Sequence, residues 1–320
     1  MSNVSHLTSS VSRDKIAVFG GTGMLGSSIV RQLQKNGYEN ILTPSRKDGF
    51  DLLKKEDVEN FFKEESPDNV YMVAGLVGGI LANNTRQADF LYQNASMILN
   101  VIEALKNFSP QTKLLYTGST CIYPKENPQP INENRFMMGP LEETNKGYAV
   151  AKGMGIIACQ LYRQQYGINA ISAMPTNLYG PNDNYDLHDS HFIAAMIQKF
   201  VNAQKDGTEL LFWGSGKPRR EALYVDDCAD ACIYLMQNYD KPEFVNIGTG
   251  FDHSIKEYIE IAQKVFEFDK PIKWDTSKPD GMYEKRTDIS YLKSIMPEYN
   301  PRPFEEGLKE VLRIDFGVEV

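Results

Sequence analysis

The sequence predicts an α/β protein: a doubly wound parallel sheet with a smaller lobe set over one end of it. Three observations lead there. Short apolar runs alternate with amphipathic helical stretches through the first 180 residues. The first of these runs passes through a glycine-rich turn straight into a helix. Beyond Gly180 the alternation gives way to loop-rich text, "PNDNYDLHDSH", "WGSGKPRR" and "WDTSKPDGMYEKR", interspersed with helices.

Taken in order, "KIAVFGGTGMLGSSIVRQLQKNG" is a strand over Ile16 to Phe19, a glycine turn and a helix ending near Gly37. "NILTPS" and "VYMVAG" read as strands, and "QADFLYQNASMILNVIEALKNF" as a helix. "KLLYTGS" is a strand, "GYAVAKGMGIIACQLYRQQYG" a helix, and "NAISAMPTNLYG" one further strand. The expected division is a mobile extension over 1–14, a sheet domain from 15–178 and 222–250, and a second lobe from 179–221 and 251–320. Ligands of doubly wound sheets sit at the carboxyl ends of the strands, under that lobe.

A formal charge of −8 argues against nucleic acid or an anionic membrane as a general partner. No apolar run approaches the roughly 20 residues that span a bilayer. The start, "MSNVSHLTSSVSRDK", lacks the apolar stretch of a secretory signal. Four cysteines, 121, 159, 228 and 232, are too few for a disulfide framework, and a reducing cytoplasm is the expected setting. Cys228 and Cys232 lie one turn apart in "VDDCADACIYLM", a helix opened by Asp226 or Asp227; with no further Cys or His nearby they read as packing rather than as metal ligands. Cys159 in "GIIACQLY" reads the same way.

The glycine turn is G-x-x-G-x-x-G: Gly20, Gly23 and Gly26. Between a strand and a helix, such a turn lets backbone amides approach a pyrophosphate, whose charge the helix N-terminus favours. That makes the sheet Rossmann-type and the first ligand a dinucleotide. At the end of the next strand stands "SRKDG". Arg46 and Lys47 suit a 2′-phosphate and so NADP(H), while Asp48 could serve the ribose hydroxyls of NAD.

Tyr148 and Lys152 form Y-x-x-x-K and share one helix face. Among 17 tyrosines the spacing alone is weak, but this pair follows a strand that ends at Ser119. An ammonium beside a phenol favours the phenolate, and a serine can hold a carbonyl oxygen while the tyrosine gives it a proton. Cys121 lies two residues beyond Ser119, so in an extended segment both side chains point the same way. A thiol there could take a proton from a carbon beside the carbonyl; the competing reading is buried filler. His188 and His191 form H-x-x-H near Asp186 and Asp189, without a convincing further ligand set for a metal. His191, ahead of "FIAAMI", could be a proton donor opposite the thiol or merely a helix cap. His6 and His253 read as structural. Trp213, Lys199, Arg219 and Arg220 offer an aromatic face and cations for a diphosphate, though "GKPRR" could equally be a solvated turn.

The stretches "VGGILANNT", "ADFLYQN", "GSTCIYP", "YAVAK", "PTNLYGPNDN", "SHFIAAMI", "WGSGKPRRE", "VDD", "NIGTG" and "KPDG" run in order along the chain. In them the sequence resembles the extended short-chain dehydrogenase/reductases, and more closely the GDP-L-fucose synthase family of 3,5-epimerase-4-reductases. The resemblance implies a reductase triad of Ser119, Tyr148 and Lys152, and an epimerising pair of Cys121 and His191. It implies NADP(H) contacts from Gly20, Gly23, Met24, Leu25, Gly26, Arg46, Thr117, Gly118, Lys152, Pro175, Asn177, Leu178 and His191. It places Asn177, Lys199, Trp213, Arg220 and Asp280 against a GDP-linked 4-keto sugar. It also implies a homodimer packed through the helices containing Leu91 to Ala104 and Tyr148 to Tyr162.

The chain departs from the family text in places. "GTG" replaces the usual "HRG" of the first loop, "GPNDN" the usual "GPHDN", and "GSTC" the usual "GSSC"; "YDLHD" is unlike the usual text and the last helix is short. Two enzyme readings therefore stand: an epimerase/reductase, and a 4-reductase of a 6-deoxy sugar or heptose that does not epimerise. A 4,6-dehydratase is disfavoured, because Thr120-Cys121 stands where those relatives carry acidic residues. A nonenzymatic NADP-sensing protein would have no use for the triad.

Overall fold

A computed structural model describes residues 13–187, 190–277 and 284–319. The expected extension, apart from residues 13 and 14, and the candidate Asp280 lie outside the described residues. Strand β1 (Ile16–Phe19) feeds helix α1 (Met24–Lys35), and β2 (Ile41–Leu42) follows. Next come α2 (Lys55–Glu65), β3 (Asn69–Met72), α3 (Ile80–Thr85) and the long α4 (Gln87–Phe108). Then β4 (Lys113–Thr117), α5 (Lys146–Tyr166) and β5 (Ala170–Pro175) complete the alternation.

Beyond β5 the chain forms β6 (Asn177–Tyr179), α6 (Phe192–Asp206), β7 (Leu210–Trp213), β8 (Arg219–Arg220) and β9 (Ala222–Tyr224). It returns to the sheet through α7 (Val225–Asn238) and β10 (Val245–Ile247). The last elements are β11 (His253–Ser254), α8 (Ile255–Val265), β12 (Ile272–Asp275), α9 (Ser290–Ile295) and α10 (Phe304–Asp315).

The main sheet has the order β2-β1-β3-β4-β5-β10, all parallel. Alternate strand residues serve opposite faces. Ala17, Phe19, Val70, Met72, Leu114 and Tyr116 meet α2, α4 and α5 on one side. Ile16, Val18, Tyr71, Leu115 and Ile171 meet α1, α7 and α9 on the other. Burial on both faces is why these strands are continuous apolar runs rather than alternating ones. The chain runs from β1 to β2 on one side and then to β3 on the other, so the order reverses at β1 and opens a crevice at the strand ends.

A third core, rich in aromatic rings, holds the second lobe. Phe200 of α6 stacks on Phe266 with ring centroids 5.0 Å apart, and Tyr258 of α8 packs edge-on to Phe304 of α10 at 4.6 Å. Two segments cross the division expected from sequence. Ala222 and Tyr224 of β9 pack in the lobe core, whereas Ile289, Leu292 and Tyr299 pack under the sheet with α7. The single strand expected over "NAISAMPTNLYG" is two: Thr176 makes the last rung, its N–H to Ile247 O at 2.9 Å, and β6 then bends away to pair with β9. One apolar run thus serves two sheets.

The halves are joined at Glu221, which is fully buried. Its carboxylate accepts from the amides of Thr249 (2.7 Å), Gly250 (2.8 Å) and Thr287 (2.8 Å) and from the Thr287 hydroxyl. Burial pushes this carboxyl up, and those bonds pull it back down. Cys228 and Cys232 are fully buried on α7 and Cys159 is nearly so on α5; all four cysteines are unpaired.

Candidate active site

The glycine turn is built so tightly that side chains cannot enter it. Gly20 has φ +92°, and a Cβ on it would lie 2.8 Å from Ala74 Cα at the end of β3; a Cβ on Gly26 would lie 2.0 Å from Gly20 O. Gly23 is the exposed N-cap position of α1 and brings no side chain to it. The first amides of the helix, including those of Met24 and Leu25, are thus left for an anion, which fits a pyrophosphate. Downstream, Arg46 pairs with Asp51 at 3.3 Å with its side chain 65% exposed. Asp48 accepts from the Ser45 hydroxyl at 2.5 Å. Asp48 is engaged through one oxygen within its own turn, and the exposed cation beside it suits a 2′-phosphate.

β4 ends at Thr117, and Gly118 carries the chain into a tight turn. Cys121 does not lie in an extended segment. Ser119 is extended (φ −163°, ψ 148°), but residues Thr120–Ile122 form a 3₁₀ turn that Ser119 caps, its Oγ accepting from Cys121 N at 3.3 Å. The two side chains are brought together by the cap rather than by a period of two, since a serine that ends a strand competes well for the first free amide. Cys121 is half-buried.

α5 delivers the other groups. Its opening turn places Tyr148 beside Ser119, with its ring edge-on to Phe90 at 6.2 Å. One turn on, Lys152 is only 4% exposed and donates to Thr117 O at 2.9 Å. Its ammonium sits 5.8 Å from the Tyr148 ring centre, on a carbonyl rather than against the phenol oxygen. The expectation that the lysine draws the phenol downward is therefore not met in the protein alone. Burial raises the Tyr148 phenol well above its usual range, the charge of Cys121 adds to this, and only Ser119 opposes it. Burial likewise brings the Lys152 ammonium down to about 8, with Cys121 opposing.

Sequence reasoning passed over three neighbours. Asn94 of α4 accepts from Leu76 N at 2.9 Å and donates to Leu76 O at 3.1 Å, fixing the segment after β3. Gly75 on that segment lies beside Lys152: a Cβ there would be 3.0 Å from Asn94 Oδ1 and 3.5 Å from Lys152 Nζ. Asn145, just ahead of α5, donates its Nδ2 to Cys121 Sγ at 3.4 Å. A polar residue next to the Y-x-x-x-K helix was the only signal for Asn145.

Ser119, Cys121, Tyr148 and Lys152 thus come together. His191 is the exposed N-cap residue of α6, with no side-chain cap bond. Its H-x-x-H partner His188, and Asp189, lie outside the described residues. Pro175 and Leu178 flank the bend between β5 and β6, where Asn177 is exposed and donates to Glu221 O at 3.1 Å. In the second lobe Lys199 is held against neutral groups, the Leu211 carbonyl at 2.9 Å and the Phe212 ring at 4.9 Å, and burial lowers it. Trp213 ends β7 with 68% of its surface exposed. The two arginines of "GKPRR" part company: Arg219 is paired with Asp252 and Glu257, while Arg220 is half-buried, with burial lowering it. His253 is packed between the Phe251 and Tyr258 rings, a structural position. No group of His, Cys, Asp or Glu among the described residues could hold a metal.

The NAD dependent epimerase/dehydratase family matches residues 16–248. The chain is 50% identical over 282 residues to the GDP-L-fucose synthase of Sinorhizobium fredii, covering 88% of this chain and 89% of that one. Among solved structures it is similar to a GDP-L-fucose synthetase from Naegleria fowleri bound to NADP (28% identity, TM-score 0.88, 96% and 95% of the two chains). It is also similar to a GDP-mannoheptose C4 reductase from Campylobacter jejuni with NADP bound (32% identity, TM-score 0.86, 95% and 98%). A reversing parallel sheet, a glycine cradle and a Ser-Tyr-Lys cluster at one strand end are the structural counterparts of that likeness, and the chain belongs to the NAD dependent epimerase/dehydratase family and, within it, to the GDP-L-fucose synthases.

Proposed function

We propose that this protein is an NADPH-dependent epimerase/reductase of a GDP-linked 4-keto sugar, GDP-4-keto-6-deoxymannose or a close relative, giving a GDP-L-fucose-type product. The observation that carries the reading is the meeting of Ser119, Cys121, Tyr148 and Lys152 at the carboxyl end of β4. NADPH would lie on the α1 amides with its 2′-phosphate at Arg46, its inner end bordered by Thr117, Gly118, Pro175, Asn177, Leu178, Lys152 and His191. Bound there, it supplies the hydride that reduces carbon 4.

The protein's own groups do the rest. Ser119 and Tyr148 hold the carbon-4 oxygen, which makes the hydrogens on carbons 3 and 5 acidic. Cys121 removes such a proton, and His191 returns one from the opposite face. Tyr148 then protonates the oxygen as carbon 4 is reduced; a phenol raised by burial stays protonated until charge develops on that oxygen. Lys199, Trp213, Arg220 and Asp280 would bind the GDP portion, since a cation that rests on neutral groups among the described residues, as Lys199 does, suits a diphosphate.

A homodimer through α4 and α5 belongs to the same reading. Tyr92 (69%), Leu161 (53%) and Val150 (42%) are exposed on those two helices. Four unpaired cysteines and a reduced cofactor suit the cytoplasm; no helix among the described residues is long and apolar enough to cross a membrane.

The test is incubation with NADPH and a panel of GDP-4-keto sugars, followed by stereochemical analysis of the products. Turnover of GDP-4-keto-6-deoxymannose with inversion at carbons 3 and 5 is expected. A second reading, 4-reduction without epimerisation, is favoured by the likeness to a GDP-mannoheptose C4 reductase. Reduction of a heptose with its other stereocentres unchanged would establish it.

A further inference from the structure

Asn145 holds the N-cap position of α5, with φ −132° and ψ 21°. An asparagine there ordinarily turns its side-chain oxygen onto the second or third amide of the helix. Asn145 makes no such bond. Its Oδ1 is buried without a hydrogen-bond partner among the described residues, and its Nδ2 is directed at Cys121 Sγ, 3.4 Å away. Forgoing a cap and leaving an acceptor unmet are both unfavourable. The orientation of this amide serves the sulfur rather than the helix.

We propose that Asn145 is a positioning residue for Cys121, its Nδ2–H donating to the sulfur and favouring the thiolate that takes the proton from the sugar. This rests on Cys121 being the base of epimerisation. In that step the C–H bond beside the ketone breaks, its proton forms an S–H bond, and the electron pair enters an enolate whose oxygen Ser119 and Tyr148 hold. Protonation from the opposite face by His191 restores the C–H bond inverted. Lys152 acts on the sulfur only through its charge, whereas Asn145 supplies a directed bond and fixes where the sulfur points. Because the amide makes no other side-chain bond and no cap bond, replacing it leaves α5 intact.

The test uses the full chain and reads Cys121 directly. Cys159, Cys228 and Cys232 are 1%, 0% and 0% exposed, so alkylation by iodoacetamide at neutral pH reports Cys121, checked by mass spectrometry of its peptide. Asn145→Ala should slow alkylation about fivefold to tenfold through a smaller thiolate fraction. Asn145→Asp, which keeps the shape and sets a carboxylate against the sulfur, should slow it further. In Asn145→Ala, solvent-deuterium incorporation at carbons 3 and 5 should fall at least about fivefold more than NADPH oxidation does. An amide turned the other way would accept from the thiol and hold it neutral, and Asn145→Ala would then alkylate faster; faster or unchanged alkylation overturns the proposal. Failure of the underlying reading shows elsewhere: Cys121→Ser would exchange deuterium like the parent.

Discussion

Replacing Tyr148 with Phe removes one oxygen and nothing else. The ring keeps its edge-on contact with Phe90, so the fold should hold. What is lost is the proton delivered to the carbon-4 oxygen. The lost proton is worth about 10²- to 10⁴-fold in rate. The barrier to reduction should thus rise by about 3–5 kcal/mol. The Ser119 hydroxyl can still hold the oxygen but has no reason to give up its proton as readily as a phenol does, and the Lys152 ammonium is drawn to Thr117 O. The assay is single-turnover NADPH oxidation at saturating GDP-4-keto sugar, with deuterium exchange at carbons 3 and 5 followed in the same sample. Reduction should slow by the amount given, substrate affinity should change little, and exchange should continue, because Cys121 is untouched. Normal NADPH oxidation in the Phe variant would remove Tyr148 from the mechanism; loss of exchange alongside reduction would mean that the tyrosine, not Ser119, carries the enolate oxygen.

Cys121→Ser should abolish deuterium incorporation while still oxidising NADPH, giving an unepimerised product, because a hydroxyl is a far weaker acid than a thiol and leaves almost no base; product stereochemistry decides it. Arg46→Ala should weaken NADPH about fivefold to tenfold, less than a buried charged hydrogen bond would cost because the side chain is 65% exposed, and leave NADH nearly unchanged. Equal losses measured by titration would refute the 2′-phosphate assignment. Lys152 makes reduction pH-dependent: its ammonium is present below about 8 and lost above, so the rate should fall as pH rises through that value. For stability the sign is the reverse. The folded protein holds this proton less tightly than the unfolded chain, so Lys152 costs stability below about 8 and less of it as pH rises towards the ordinary lysine range. A flat rate profile from 7 to 9.5 would remove the ammonium from catalysis.

How much of this was legible in the sequence depends on range. Strands buried on both faces print themselves as apolar runs, so β1, β3, β4 and the front of β5 could be read directly. The glycine cradle was legible because its constraint is local: a Cβ at Gly26 would strike the backbone of Gly20, six residues back. α2 was illegible because it buries only Val58 and Phe62. The split of β5 from β6 depends on β9, more than 40 residues away, which no window of sequence contains. Among site residues, Ser119, Tyr148 and Lys152 announce themselves by spacing, and Cys121 was placed beside Ser119 for the wrong geometric reason. Gly75 and Asn94 matter through what lies across from them, so no pattern along the chain marks them, and Asn145 carries only the weak mark of a polar residue ahead of the Y-x-x-x-K helix.

Glu221 bears on how such a protein changes its substrate. The carboxylate ties the strand before α7 to the loop after β10 and to Thr287, and it directly follows Arg220. With five donors converging on one buried group, the second lobe has no free pivot there and must travel with the sheet. Entry and exit of a bulky nucleotide sugar then cannot draw on a hinge at this junction. The same junction gives selection two independent dials. Side chains of the second lobe that Glu221 does not bond can change without loosening the joint, and the joint can be preserved whatever those side chains are.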